Sequence, residues 1–190
     1  EYFDLWKEVQ LHSQKGLPKS ALKVVQRIYK KAKEKKHAGQ LIKALIHMVR
    51  YYQQVEENAF VKVQARLTKE LKESQFPVTP LLHSMLAEQY WNYYRRNRWR
   101  LLRRSATAKE FKQDDLRTWD ARRIVETVVK HYRKSLENTG QSKKTPVDVF
   151  NDTLNMYVAG RKYRPTLYDF LAHRAVDVFM NSEAGLTQPK

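Results

Sequence analysis

The chain predicts an all-α fold built as a stack of antiparallel helix hairpins. Three observations lead there. Apolar residues recur at i, i+3, i+4 and i+7 in one segment after another, and no strand-like alternation appears. Only 5 Gly and 6 Pro occur in 190 residues, while Lys, Leu, Ala, Gln, Glu and Arg abound. The breaks between periodic segments are short, so successive helices must fold back on one another. The expectation is a single helical domain over 1–182, with roughly six to eight helices. Residues 183–190 lose apolar periodicity and read as a linker toward a further region.

Each element has a local reason. Phe3, Leu5, Trp6, Val9 and Leu11 give a first helix over 2–14. Lys15-Gly16 stops it, because Gly suits a left-handed cap. Pro18 then opens a second helix, where proline costs no hydrogen bond. That helix runs to about Lys36 on Ala21, Leu22, Val25, Ile28, Tyr29 and Ala32. Its last turns hold Lys30, Lys31, Lys33, Lys35 and Lys36, which suit the negative end of the dipole. A break near His37–Gly39 precedes a third helix on Leu41, Ile42, Leu45, Ile46, Val49 and Tyr52. Residues 17–54 resemble a tetratricopeptide-type unit, although no clean 34-residue period is visible.

A fourth helix over 57–74 uses Phe60, Val63, Leu67 and Leu71. PVTP at 77–80 reads as a breaker, followed by a long helix from Leu81 to about Ser105. Residues 106–118 are polar and mixed. Trp119, Ile124, Val125, Val128, Val129, Tyr132 and Leu136 then mark another helix. Residues 137–146 are expected as a loop, 147–157 as a short helix and 159–165 as a loop. The last helix starts near Thr166.

The net charge is +17 and the isoelectric point about 10. Such a surface attracts nucleic acid, anionic lipid or acidic protein. With no cysteine, disulfides, zinc-thiolate sites and cysteine nucleophiles are excluded. No 18-residue apolar run exists to span a membrane. Glu1 in place of an initiator Met is expected of a chain processed from something longer, whose export signal was removed.

Asp169, His173 and Asp177 are the most suggestive chemical constellation, spaced i, i+4, i+8. An i+8 residue lies about 12 Å along the axis, so all three cannot share one ion. Thr166 and Asp169 form a T-x-x-D helix start, which gives Asp169 a capping task. Leu167, Phe170, Leu171, Ala175, Val178 and Phe179 are expected to face the core, with His173 and Asp177 on or beside the opposite face. The other histidines, His12, His37, His47, His83 and His131, make no ligand spacing. No nucleophile elbow, phosphate loop or dinucleotide fingerprint is present. The reading is therefore not an enzyme, with no catalytic residue, metal or cofactor assigned.

The sharpest charge feature is RRNRWRLLRR, 95–104. Arg95, Arg96, Arg98, Trp99 and Arg100 form a candidate interaction surface. Arginines around an aromatic can hold phosphates and stack a base. The ordinary alternative packs Trp99, Leu101 and Leu102 while the arginines snorkel or pair with Glu88, Glu110, Asp114 and Asp115. Positive charge spread over every helix disfavours nucleic acid. YWNYY at 90–94 suggests a sugar or peptide groove, but an aromatic-rich helix usually feeds the core.

Three stretches carry a resemblance: LWKEVQLHSQKGLPKSALKVVQRIYKKAKEKK, LLHSMLAEQYWNYYRRNRWRLLRR and KYRPTLYDFLAHRAVDVF. Together they resemble the N-terminal helical region of the alpha-2-macroglobulin-like proteins of Bacteroidetes-type bacteria. LPKSAL at 17–22 and PTLYDFLAHRA at 165–175 are the most distinctive pieces. The resemblance implies a non-catalytic structural or interaction domain of an exported, protease-inhibitor-like protein in the periplasm or cell envelope. It implies macroglobulin-type β modules of the same chain as partners, with envelope proteins or proteases beside them. The thioester chemistry of that family needs a Cys and a Gln in a downstream module, so no trapping residue carries over. Two other functions stand beside it: polyanion binding through Arg95–Arg104, and a tetratricopeptide-like peptide groove involving Tyr93, Tyr94 and Trp99.

Overall fold

A computed structural model describes residues 1–103, 118–150 and 162–182. It is all-α, with adjacent helices packed mainly as antiparallel pairs. Among the described residues the helices are α1 (Tyr2–Gln14), α2 (Pro18–Glu34), α3 (Ala38–Val55), α4 (Ala59–Glu73) and α5 (Val78–Leu102). They continue with α6 (Ala121–Leu136), α7 (Thr139–Lys144) and α8 (Leu167–Phe179), with a 3-10 turn at Val147–Phe150. No strand forms among the described residues, and Pro146 and Thr166 make an isolated bridge.

The first two turns share one device. After α1 the Leu17 amide donates to the His12 carbonyl, and Gly16 donates to Ser13. This is the Schellman closure, and Gly16 adopts the left-handed conformation it requires, with φ +66°. After α2, His37 donates to Ala32 and Lys36 to Lys33 in the same pattern. Here the left-handed position is Lys36, with φ 53°, and not a glycine. Gly39 lies inside α3, and a Cβ there would stand 3.0 Å from the Val149 carbonyl oxygen. Its missing side chain lets the 3-10 turn approach α3.

One continuous core runs through the stack. Ile28 of α2, Ile42 and Leu45 of α3, Leu67 of α4, Leu82 and Leu86 of α5 and Ile124 of α6 are fully buried. Burying each such side chain stabilises by about 1.5–3 kcal/mol. Contacts are densest between α5 and α6 and between α2 and α3.

Three expectations need correction. The long helix begins at Val78, not Leu81. Thr79 and Pro80 lie in its first turn, where a proline lacks no intrahelical bond, so PVTP starts the helix instead of breaking it. Residues 137–146 contain α7, a single helical turn and more, rooted by fully buried Ser142. The helix expected at 147–157 is a 3-10 turn through Phe150, and 151–157 lie outside the described residues. The mixed stretch 106–117 and the linker at 183–190 also lie outside them.

Thr166 caps α8 with a full capping box. Its hydroxyl accepts from the Asp169 amide at 3.2 Å, and the Asp169 carboxylate accepts from the Thr166 amide at 3.1 Å. Leu167, Phe170, Leu171, Ala175 and Val178 are buried, while Phe179 at the end of the helix is exposed. Val178 in the same turn is buried, whereas Phe179 lies at the margin of the apolar face and packs edge-on against Tyr132 with ring centroids 6.1 Å apart.

Candidate functional site

Four places gather polar chemistry, and the sequence singled out only one of them by residue. That one is the end of α5. Leu101 is fully buried, yet Trp99 is 72% exposed and Leu102 is 41% exposed. The packing expected for Trp99 and Leu102 does not occur. Arg95, Trp99 and Arg103 fall at i, i+4 and i+8, with Arg96 and Arg100 alongside, so they share one exposed face. The Arg98 guanidinium lies 5.0 Å from the Trp99 ring centroid. Arg100 is held by its own helix, donating to Asn97 Oδ1 at 2.8 Å and to the Tyr93 hydroxyl at 3.1 Å. Arg104, Glu110, Asp114 and Asp115 lie outside the described residues. Glu88, expected beside these arginines, pairs instead with Arg174 at 2.9 Å.

The neighbouring aromatics are structural. Tyr94 is fully buried, and Trp91 stacks on it with centroids 5.3 Å apart. Tyr93 is half-buried and stacks on Phe60 of α4 at 4.4 Å. The YWNYY run is thus mostly core, with Trp99 beyond it as the exposed ring.

Asp169, His173 and Asp177 do not come together. Asp169 is occupied by the capping box, and His173 and Asp177 are exposed. Among the described residues no three His, Cys, Asp or Glu side chains form a metal-holding group.

A buried network between α2 and α4 escaped the sequence reading. Glu70 is only 2% exposed. Its carboxylate accepts from the Tyr29 hydroxyl in a very short contact, from Lys33 Nζ at 3.0 Å and from the Ser74 hydroxyl at 2.9 Å. Lys33 also donates to Glu73. Burial and the hydrogen bond to Glu70 push the Tyr29 hydroxyl up from its ordinary value. Burial lowers the Lys33 ammonium, but its bonds to Glu73, Tyr29 and Glu70 outweigh that and raise it. Lys33 in turn holds Glu73 below the usual carboxylate range. The signal was present: Val63, Leu67, Glu70 and Ser74 share one helix face, so an acid sits on the buried stripe of α4. Next to this network a cavity of about 400 Å³ opens between α2 and α4.

A second cavity, about 200 Å³ and largely apolar, lies between α3, α5 and α8. Ile46, Leu81, Met85 and Phe170 line it. Arg174 of α8 crosses its rim, donating to the Ser84 hydroxyl at 2.8 Å and to Glu88. His83 and His131 form the last cluster, joining α5 to α6 with their Nδ1 atoms 2.9 Å apart. His131 also stacks on Tyr90, which stacks in turn on Trp119. Burial first pulls each of these histidines down to about 4, helped at His131 by His83 and then Lys130 and Lys134, and at His83 by Lys134 and Lys130 against an opposing Glu137. Both are therefore neutral at pH 7, and one ring donates to the other.

No protein-family model matches the chain, and no curated protein or solved structure matches it either.

Proposed function

We propose that this is a non-catalytic interaction domain, serving as the helical part of a larger alpha-2-macroglobulin-like protein of the bacterial envelope. The observation that carries the interaction reading is Trp99. A tryptophan left 72% exposed in a ring of arginines is costly to hydrate and well suited to contact a partner. Trp and Arg are the residues most enriched where protein interfaces concentrate their binding energy. The family part of the reading is supported by the stretches that carry the resemblance. LPKSAL sets the α1–α2 turn and the start of α2, and PTLYDFLAHRA caps α8. Arg174, within that stretch, ties α8 to α5. These are fold-defining tasks of the kind a helical accessory domain needs.

The partner this reading names is a macroglobulin-type β module. Titrating such modules against the domain tests it. The expected result is saturable binding that Trp99→Ala weakens at least tenfold while leaving the helical content unchanged. Absence of binding, or binding indifferent to Trp99→Ala, overturns the reading. Turnover of a peptide or ester that disappears with His173→Ala overturns its non-catalytic part.

Nucleic acid on the same arginines is the rival, since exposed Trp99 could also stack a base. Phosphate contacts would make binding fall steeply with salt. An oligonucleotide bound no better than by a scrambled basic peptide at near-physiological salt removes that rival.

A further inference from the structure

We propose that the cavity between α2 and α4 is a binding site for a compact organic polyanion, a small molecule bearing two or more phosphate or sulfate groups. Lys23, Arg27, Lys30 and Lys33 of α2 and Arg66 and Lys69 of α4 line it. Lys23, Arg27, Lys30 and Lys33 recur at i, i+4, i+7 and i+10, and Arg66 and Lys69 at i and i+3, so each helix turns one cationic face to the same space. Three carboxylates stand against these six cations. Glu8 pairs with Arg27 at 3.3 Å, and Glu70 and Glu73 both pair with Lys33. Six against three leaves a surplus of three positive charges around about 400 Å³.

The fold does not use that surplus. Among the described residues Lys23, Lys30 and Lys69 are exposed and make no ion pair within 4 Å. Crowding like charges in a concave site costs stability and focuses a field that gathers anions. Two of the cations are fixed in advance. Lys33 is anchored by the Glu70 network, and the Arg66 guanidinium lies 4.0 Å from the Tyr29 ring centroid. Arg66 Nε is buried without a hydrogen-bond acceptor. A guanidinium pinned this way offers its remaining N–H groups to an oxyanion at little entropic cost. The lysines of the rim supply adjustable charges.

The shape selects the class of ligand. The volume matches pockets for small molecules and exceeds what one phosphate needs. Three helices bound it, which suits a compact ligand over a polymer. Met48 and Tyr52 of α3 add apolar surface for the carbon skeleton that carries the charged groups. This inference stands apart from the Trp99 surface, which lies on another helix.

Calorimetric titration of the 190-residue chain with inositol hexakisphosphate and with sucrose octasulfate tests it. The expected result is one saturable site for at least one probe. The tighter of the two distinguishes a phosphate from a sulfate ligand. Lys30→Glu with Lys69→Glu should raise Kd at least tenfold. Lys130→Glu with Lys144→Glu removes the same charge far from the cavity and should change Kd less than threefold. Both pairs replace exposed lysines, and unchanged helical content in each confirms folding. No saturable site for either probe overturns the proposal, as does equal weakening by the two double variants.

Discussion

At the scale of residues, Glu70 is the clearest case of chemistry used for structure. Its carboxylate accepts from Tyr29, Lys33 and Ser74 in a site almost without solvent. Removing it leaves the Tyr29 hydroxyl without its acceptor, and an unsatisfied buried polar group costs about 1–3 kcal/mol. Glu70→Ala is therefore expected to destabilise by about 2 kcal/mol in urea denaturation. Trp99→Ala, by contrast, removes an exposed ring and should stay within about 0.5 kcal/mol of wild type. The histidine pair makes a pH prediction. His83 and His131 titrate near 4 in the folded chain, against about 6.5 when unfolded. Between those values the unfolded chain binds more protons, so stability falls as pH drops from about 6.5 toward 4. His83, then Lys130 and Lys134, lower His131 further, and Lys134 and Lys130 do the same to His83, partly offset by Glu137. The melting temperature should fall between pH 7 and pH 5, and His131→Gln should fall less over that interval. A profile that is flat, or the same in both proteins, removes the pair as the cause.

At the scale of elements, the turns decide how much was legible. Gly16 and Pro18 mark the α1–α2 turn openly, and T-x-x-D marks the start of α8. Thr166→Ala should cost about 1 kcal/mol through loss of that cap. The α2–α3 turn hides the same closure behind Lys36, a residue with no preference for positive φ. Sequence pattern located the break but not the conformation. Lys36→Gly should stabilise by about 0.5–1 kcal/mol, because an L side chain is strained there and this one is exposed. A lower melting temperature for Lys36→Gly would contradict the assigned turn. PVTP failed as a breaker for a related reason: proline stops a helix from within and tolerates its first turn. The short α7 fell below the length at which apolar periodicity can be read.

At the scale of the whole molecule, helix class and hairpin order followed from periodicity, but the sites did not. Periodicity reports which face is buried within one helix. It does not report which faces of two helices meet. Glu70 on α4 and Tyr29 on α2 meet only through the stacking of α2, α3 and α4. The α2–α4 cavity has the same origin, as does the His83–His131 pair across α5 and α6. The arginine run was visible as a run, but not that Leu101 would be buried while Trp99 stands out. That difference is the basis for reading the end of α5 as a contact face. Hydrogen–deuterium exchange of the domain with and without a macroglobulin-type β module tests the reading most directly. Slowed exchange confined to the last turns of α5, around residues 95–103, is the predicted result. Unchanged exchange there, or protection confined to other helices, would contradict it.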